Sequence, residues 1–352
     1  MHVRTKALAG AVAAVAVLIA AAPAGASFPG RNGRLVFADP SQSIKSNEPS
    51  KDALVTVRPD GTHRRVVVRM PGVTDAAWSA DGRQIVFAAR TVDRASAYNS
   101  YEIFTVRADG SHLRRLTHNS VADLSPSWSR SGHSIALVRV PYDKYYRPVY
   151  DSAELRLLNL DNGKERVVVH GSVREARLSP DSKLIAYTTG QDVFVVPPTG
   201  RNPMQVASMA DAYLDGALAW ETPFPDHPGV YGGTLLFTDY PNVGACDYCS
   251  TGVWAASNAE DAYFYRPHTP SDPSRITPWG AYSPWRATWS PNARRIDYCQ
   301  PGGLVPVAHR GIYTYFAESW RLFTMKRDGT DAREVAPLLG CPTDWQPLPK
   351  KK

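Results

Sequence analysis

Short apolar runs alternate with polar turns through nearly the whole chain. Trp78-Ser79-Ala80-Asp81-Gly82 is followed by Ile85 and Phe87, and Trp128-Ser129-Arg130-Ser131-Gly132 by Ile135 and Leu137. The arrangement returns at Leu178-Ser179-Pro180-Asp181-Ser182 with Ile185 and Tyr187, and at Trp289-Ser290-Pro291-Asn292-Ala293 with Ile296 and Tyr298. In all four copies the Ile lies seven residues after the Trp or Leu. A strand ending in Trp, a tight turn and an alternating apolar strand read as a β-hairpin, and four in register are an internal repeat.

A second hairpin completes each unit. Leu54–Val57 leads to Pro59-Asp60-Gly61, Ile103–Val106 to Ala108-Asp109-Gly110, Val193–Val196 to Pro198-Thr199-Gly200, and Leu322–Met325 to Arg327-Asp328-Gly329. Asp-Gly between apolar runs is a strong turn signal, because Gly accepts positive φ without a Cβ clash. Fourth strands are predicted at Arg64–Val68, Leu113–Thr117, Glu165–His170 and Arg333–Val335. Four strands per unit make a propeller blade. The repeat positions Trp78, Trp128, Leu178, Trp220, Trp289 and Trp345 predict an all-β, six-bladed β-propeller of four-stranded antiparallel blades over residues 27–347. Leu35–Ala38 lacks a preceding Trp strand, and Thr343–Pro347 supplies one at the other end. Pairing this C-terminal strand with the first blade closes the ring and removes exposed sheet edges.

The spacing between repeats exceeds the roughly 40–45 residues of a compact blade. The excess is expected as insertions between second and third strands, at Pro40–Lys51, Thr91–Ser100, Pro141–Asp151, Tyr240–Thr251 and Gln300–Ser319. In the Trp220 unit an extra loop, Glu221–Gly233, precedes Leu235 and Phe237. Either Val253–Ala256 or Ala262–Tyr265 fits as its third strand.

These Trp-Ser-Ala-Asp-Gly and Leu-Ser-Pro-Asp-Ser units, each followed by Ile-x-aromatic, resemble the WD-like repeats of TolB-type six-bladed propellers. The resemblance covers about Phe28–Pro347. It implies a fold rather than a task, since such blades serve different functions. TolB itself carries a separate amino-terminal domain that contacts partners, whereas here residues 1–26 run straight into the first blade. No family binding residue is therefore carried over.

Residues 1–26 read as a secretory signal: Arg4 and Lys6, the apolar run Ala7–Ala22, then Ala24-Gly25-Ala26. The mature chain then has no second apolar run long enough to span a membrane, and a periplasmic, cell-wall or extracellular location is expected. The formal charge is +7. Arg4, Lys6 and the basic tail at 348–352 account for part of it. The remaining bases are interspersed with acids along the sequence, so a solvated surface is expected rather than a nucleic-acid partner.

Four cysteines in an exported chain suggest disulfides, paired as Cys246–Cys249 and Cys299–Cys341, with a four-thiolate zinc site as the alternative. Asp60, Asp81, Asp109 and Asp328 occupy equivalent turns of different blades, which makes them turn residues rather than metal ligands. No catalytic motif is present, and no catalytic residue, cofactor or metal site is assigned. His118, His170, His227, His268 and His309 are scattered, leaving a hydrolase or lyase with a metal at the ring axis as the second reading.

The insertions carry the binding chemistry. Tyr142, Tyr145, Tyr146, Arg147 and Tyr150 share one, and Tyr313, Tyr315 and Phe316 another. Insertions leaving the same edge of each blade crowd one face of the disc. Tyr there offers contact area and a polar tip, which suits an envelope or extracellular protein, or a glycan. A non-enzymatic, monomeric binding scaffold is the expected function.

Overall fold

A computed structural model describes residues 28, 30–39, 52–91, 100–145, 147–208, 212–214, 218–221, 234–241, 253–256, 274–276, 285–309, 312–338, 340–341 and 343–349. The expected signal at 1–26, the pair Cys246 and Cys249, and Tyr146 lie outside these residues.

Among the described residues, five sheets are four-stranded antiparallel blades. The first blade runs Asp344–Leu348, Arg31–Asp39, Ala53–Val57 and Arg65–Arg69. The second runs Thr74–Trp78, Gln84–Thr91, Ser100–Arg107 and Arg114–Arg115. The third runs Ala122–Trp128, Ser134–Val140, Glu154–Asn159 and Glu165–His170, and the fourth Glu175–Leu178, Ile185–Thr188, Asp192–Val196 and Met204–Ser208. The last blade runs Trp285–Trp289, Arg295–His309, Ile312–Lys326 and Arg333–Leu338.

The expectation of six like blades needs correction between the fourth and last. There a five-stranded sheet forms, in which Ala212–Leu214 and Ala219–Trp220 both pair with Leu235–Pro241. Asp215-Gly216, a turn-favouring pair by sequence, lies between the two short strands but outside the described residues. Val253–Ala256 is its third strand, pairing Leu235 with Ala256.

Side-chain alternation explains the packing. In the first blade Leu35, Phe37 and Val55 cluster with Leu322, Leu338 and Trp345, while Val36 and Leu54 cluster with Trp78, Phe87 and Phe104 of the second. Each remaining cluster likewise joins a sheet to its neighbour. All six repeat residues, Trp78, Trp128, Leu178, Trp220, Trp289 and Trp345, are buried in these seams. The Ile-x-aromatic position makes a second recurring contact: Phe87–Phe104, Tyr187–Phe194 and Tyr298–Phe323 stack across middle strands at 5.3–5.6 Å. Each such pair contributes about 0.5–1.5 kcal/mol beyond its buried area.

The strands carrying the repeat residues contact one another in order. Asp344–Leu348 touches Thr74–Trp78, which touches Ala122–Trp128, and so on through Trp285–Trp289 back to Asp344–Leu348. Asp344–Leu348 also pairs with Arg31–Asp39, with Leu35 opposite Trp345. It extends to Leu348, the first residue of the expected tail.

The insertion at Gln300–Ser319 is not a loop. The flanking strands continue through it, each 15 residues long, pairing out to His309 opposite Ile312. Its alternating Val, Thr, Tyr and Phe residues favour a pleated strand over an irregular loop.

Candidate functional site

Two places gather chemistry: the axis and the loop between the second and third strands of the third blade. The axis is built from one repeat position. Asp75, Ser125, Glu175 and Arg286 each lie three residues before the repeat Trp or Leu. Asp75, Ser125 and Arg286 have φ of 50°, 51° and 46°. Each sits at a break in pairing, between Thr74 and Ala77, Leu124 and Ser127, and Trp285 and Ala287. Such a bulge bends the strand and re-aims the side chain, at a strain of order 1–3 kcal/mol per non-glycine residue.

These residues meet across the ring. Arg286 Nη2 pairs with Asp75 Oδ1 at 3.0 Å, and Arg177 Nη2 with Glu175 Oε1 at 3.2 Å. Ser125 N donates to Asp75 Oδ2 at 3.3 Å, and Arg177 Nη1 donates to Ser125 Oγ at 3.2 Å. Burial pushes Asp75 up, but Arg286 and Arg177 outweigh it and hold the carboxyl below its usual range. For Glu175 burial prevails over Arg177 and Arg286, and the nearby Asp75 adds to the upward shift. A cavity of about 10 Å³ beside Arg177, Trp220, Thr288 and Thr343 is the size of one water. Each axial carboxylate is thus matched by a guanidinium. Among the described residues, no group of three or more His, Cys, Asp or Glu is placed to hold a metal.

Neighbouring inner strands are tied by the same chemistry. Trp78 N donates to Asp344 Oδ2 at 2.7 Å, and Thr343 Oγ1 to Ala76 O at 2.7 Å. Leu178 N donates to Ser127 Oγ at 3.0 Å, and Trp220 Nε1 to Arg177 O at 3.0 Å. The axis is a polar girdle.

The loop is a small hairpin. Tyr142 bridges Pro148, and Val149 N donates to Pro141 O at 2.8 Å. Asp143 Oδ1 accepts the backbone N–H of Tyr145 at 2.7 Å and of Arg147 at 3.0 Å, and its Oδ2 accepts Arg147 Nε at 2.8 Å. The Arg147 backbone bond, against desolvation and with the Arg147 side chain adding to it, holds the Asp143 carboxyl below its usual range. Tyr145 stands at the tip, 65 % exposed, with Lys144 Nζ 4.9 Å and Arg147 Cζ 5.3 Å from its ring centre. Tyr142 and Tyr150 instead pack against the core of the third and fourth blades, and Arg174 covers Tyr150 at 4.9 Å. Tyr313, Tyr315 and Phe316 lie on the extended hairpin of the last blade, opposite Ala308, Pro306 and Val305, with side chains outside the described set.

Cys299 and Cys341 form a disulfide with Cα atoms 5.6 Å apart. It ties the second strand of the last blade to the segment entering the C-terminal strand Asp344–Leu348. A disulfide points to an oxidising compartment. Asp60, Asp109 and Asp328 each accept a backbone N–H and a hydroxyl two residues on, and Asp81 accepts Arg83 N.

No protein-family model matches the chain. The Protein TolB homolog of Chlamydia trachomatis is 24 % identical over 147 residues, 42 % of this chain and 32 % of that protein. The chain thus matches about a third of the length of these curated relatives. The structure of TolB from Acinetobacter baumannii superposes with a TM-score of 0.57 at 15 % identity, covering 90 % of this chain and 67 % of that one. The fold is a TolB-like propeller. A chain of the nidogen/laminin complex superposes with a TM-score of 0.55 at 10 % identity, covering 87 % of this chain and 93 % of that one. At these identities the likeness is one of fold alone. Among the described residues no helix is long and apolar enough to cross a membrane.

Sequence reasoning missed the axial ion pairs. The signal was available: Asp75, Glu175 and Arg286 are charged residues at one fixed offset from the repeat residue, inside apolar strands. Turn aspartates at equivalent positions diverge around a ring, whereas inner-strand positions converge.

Proposed function

We propose that this TolB-like propeller is an exported, non-enzymatic scaffold that offers its loop face to a protein of the cell envelope or extracellular space. In this reading residues 1–26 direct export, and the five-stranded sheet serves as a sixth, irregular blade with WD-like repeats in its neighbours. Pairing of Asp344–Leu348 with Arg31–Asp39 then closes the ring; the cyclic order of inner-strand contacts supports it.

One observation carries the binding reading. Tyr145 is an exposed aromatic held at the tip of a hairpin that its own Asp143 clamps, so little order is lost when a partner covers it. Lys144 and Arg147 beside it suit a partner surface bearing carboxylates. The axis agrees with a scaffold, because Asp75 and Glu175 are occupied by Arg286 and Arg177. The nidogen/laminin chain offers a parallel, a propeller of similar fold in a protein complex.

The test is capture from an envelope extract by immobilised protein. Tyr145→Ala should abolish or strongly weaken capture, an anchor being worth more than about 1 kcal/mol, while the melting temperature stays within about 1 °C. Undiminished capture by the variant would place the recognition surface elsewhere.

A further inference from the structure

We infer that the turn-bearing face of the first two blades binds an acidic polysaccharide, with Arg83 and Arg107 holding its carboxylates and Asp109 accepting a hydroxyl. This surface is distinct from the Tyr145 loop, and the inference stands independently of the proposed function.

Among the described residues from 31 to 115, exposed arginines outnumber exposed acids, which are Asp60, Asp81 and Asp109. Asp39, Asp52 and Glu102 are buried and Asp75 is taken by the axis. Arg31, Arg58, Arg65, Arg83, Arg107 and Arg114 stay exposed. They lie at the ends of strands that carry the tight turns. Hydrogen bonds join these turns into one surface. Gln346 takes the Arg34 N–H on Oε1 and donates from Nε2 to Gly82 O at 2.8 Å, and Ala108 N donates to Arg83 O at 2.9 Å. The positive field is felt within it: burial, then Arg65 and Arg58, lower the pKa of Arg34.

Between the turns Asp81–Gln84 and Arg107–Asp109 lies an open groove of about 500 Å³. Its lining selects the ligand. Arginine forks match carboxylates in bidentate fashion. Asp81 Oδ2 lies 4.0 Å from Arg83 Nε, whereas the turn bonds of Asp109 use Oδ1 and leave its Oδ2 as the acceptor for a sugar hydroxyl. The phosphodiester backbone of duplex DNA offers anionic oxygens to the arginines but no hydroxyl for Asp109 to accept. A uronate polymer carries both carboxylates and hydroxyl donors. The Asp109-Gly110 turn also abuts Val67 O, bringing Leu113 and Val66, 45 % and 39 % exposed, to the same seam, where a sugar ring can rest its apolar edge.

Binding of the full chain to polygalacturonate would be measured by calorimetry, with dextran, duplex DNA and phosphatidylglycerol vesicles as comparators. Wild type should bind polygalacturonate in preference to all three, and Arg83→Gln with Arg107→Gln should weaken it at least tenfold. Asp109→Asn, which replaces the Oδ2 acceptor by a donor, should weaken it too. A bulk positive field predicts the reverse, tighter binding once the acid is removed. The inference is overturned by no binding at low salt, by unchanged affinity in the arginine variant, by tightening in Asp109→Asn, or by equal affinity for DNA or vesicles. Melting curves check folding, and Arg114→Gln, at the exposed edge, supplies a second variant should the double one lose structure.

Discussion

Asp297 lies in the second strand of the last blade, opposite Thr324, and is 4 % exposed. Burial raises its pKa from the ordinary 3.8 to about 6, over a hydrogen bond from Thr324 and the attraction of Arg295. The unfolded carboxyl titrates near its ordinary value. Below that value both states are protonated, and the group is neutral for stability. As pH rises from about 4 to 6 the unfolded chain releases its proton first, so stability falls with pH; above 6 the whole cost is present. At 1.36 kcal/mol per pH unit the difference amounts to about 3 kcal/mol. Asp297→Asn keeps the shape and an acceptor for Thr324 without the charge. It should raise stability by about 3 kcal/mol at pH 8 and leave it unchanged near pH 3.5. Urea unfolding followed by tryptophan fluorescence across that range measures the difference, since the repeat tryptophans are buried in the seams. A gain independent of pH, or a loss at pH 8, would refute the assignment of a buried, costly charge.

Arg286→Met should destabilise by about 3 kcal/mol, the low end for a broken buried pair because Arg177 remains near Asp75, and adding Asp75→Asn should restore most of it; a thermal-melt double-mutant cycle reads the coupling. Replacing both Cys299 and Cys341 by Ser removes a link closing 42 residues and should cost about 4 kcal/mol, or less if the reduced chain keeps structure, as chemical denaturation would reveal. Truncation before Thr343 removes the bonds to Trp78 N and Ala76 O and the partner of Arg31–Val36, whereas deletion of Lys350–Lys352 removes none of these. The first should collapse the melting transition and the second leave it intact; equal melting temperatures would argue against closure by Trp345.

The repeat was legible because it rests on local rules. A Trp at the end of a strand, an Asp-Gly turn and an alternating strand each announce themselves within ten residues, and copies in register announce their neighbours. Most strands, the burial of Trp78 and its equivalents and the C-terminal partner of Leu35 followed from that spacing, and the Cys299–Cys341 link from the place of both residues at strand ends, whereas the strand expected at Leu113–Thr117 is only Arg114–Arg115. The third strand of the irregular sheet stayed open between two segments, since a single apolar run does not say which partner it will find. Nor could the pattern tell a loop from strands that extend past the blade at 300–319, where propensity and insertion length pointed different ways. Tyr142 and Tyr145 are three residues apart in one insertion, yet one packs on the core and the other faces water, because hairpin pairing turns them to different surroundings. The axial pairs depend on tertiary structure most of all: Asp75 and Arg286 are 211 residues apart and meet only where inner strands converge. The arginines of the first two blades were hidden for the opposite reason. Burial withdrew Asp39, Asp52 and Glu102, while Asp60, Asp81 and Asp109 stayed exposed among a larger number of exposed arginines, a balance that depends on the fold rather than on the order of charges along the chain.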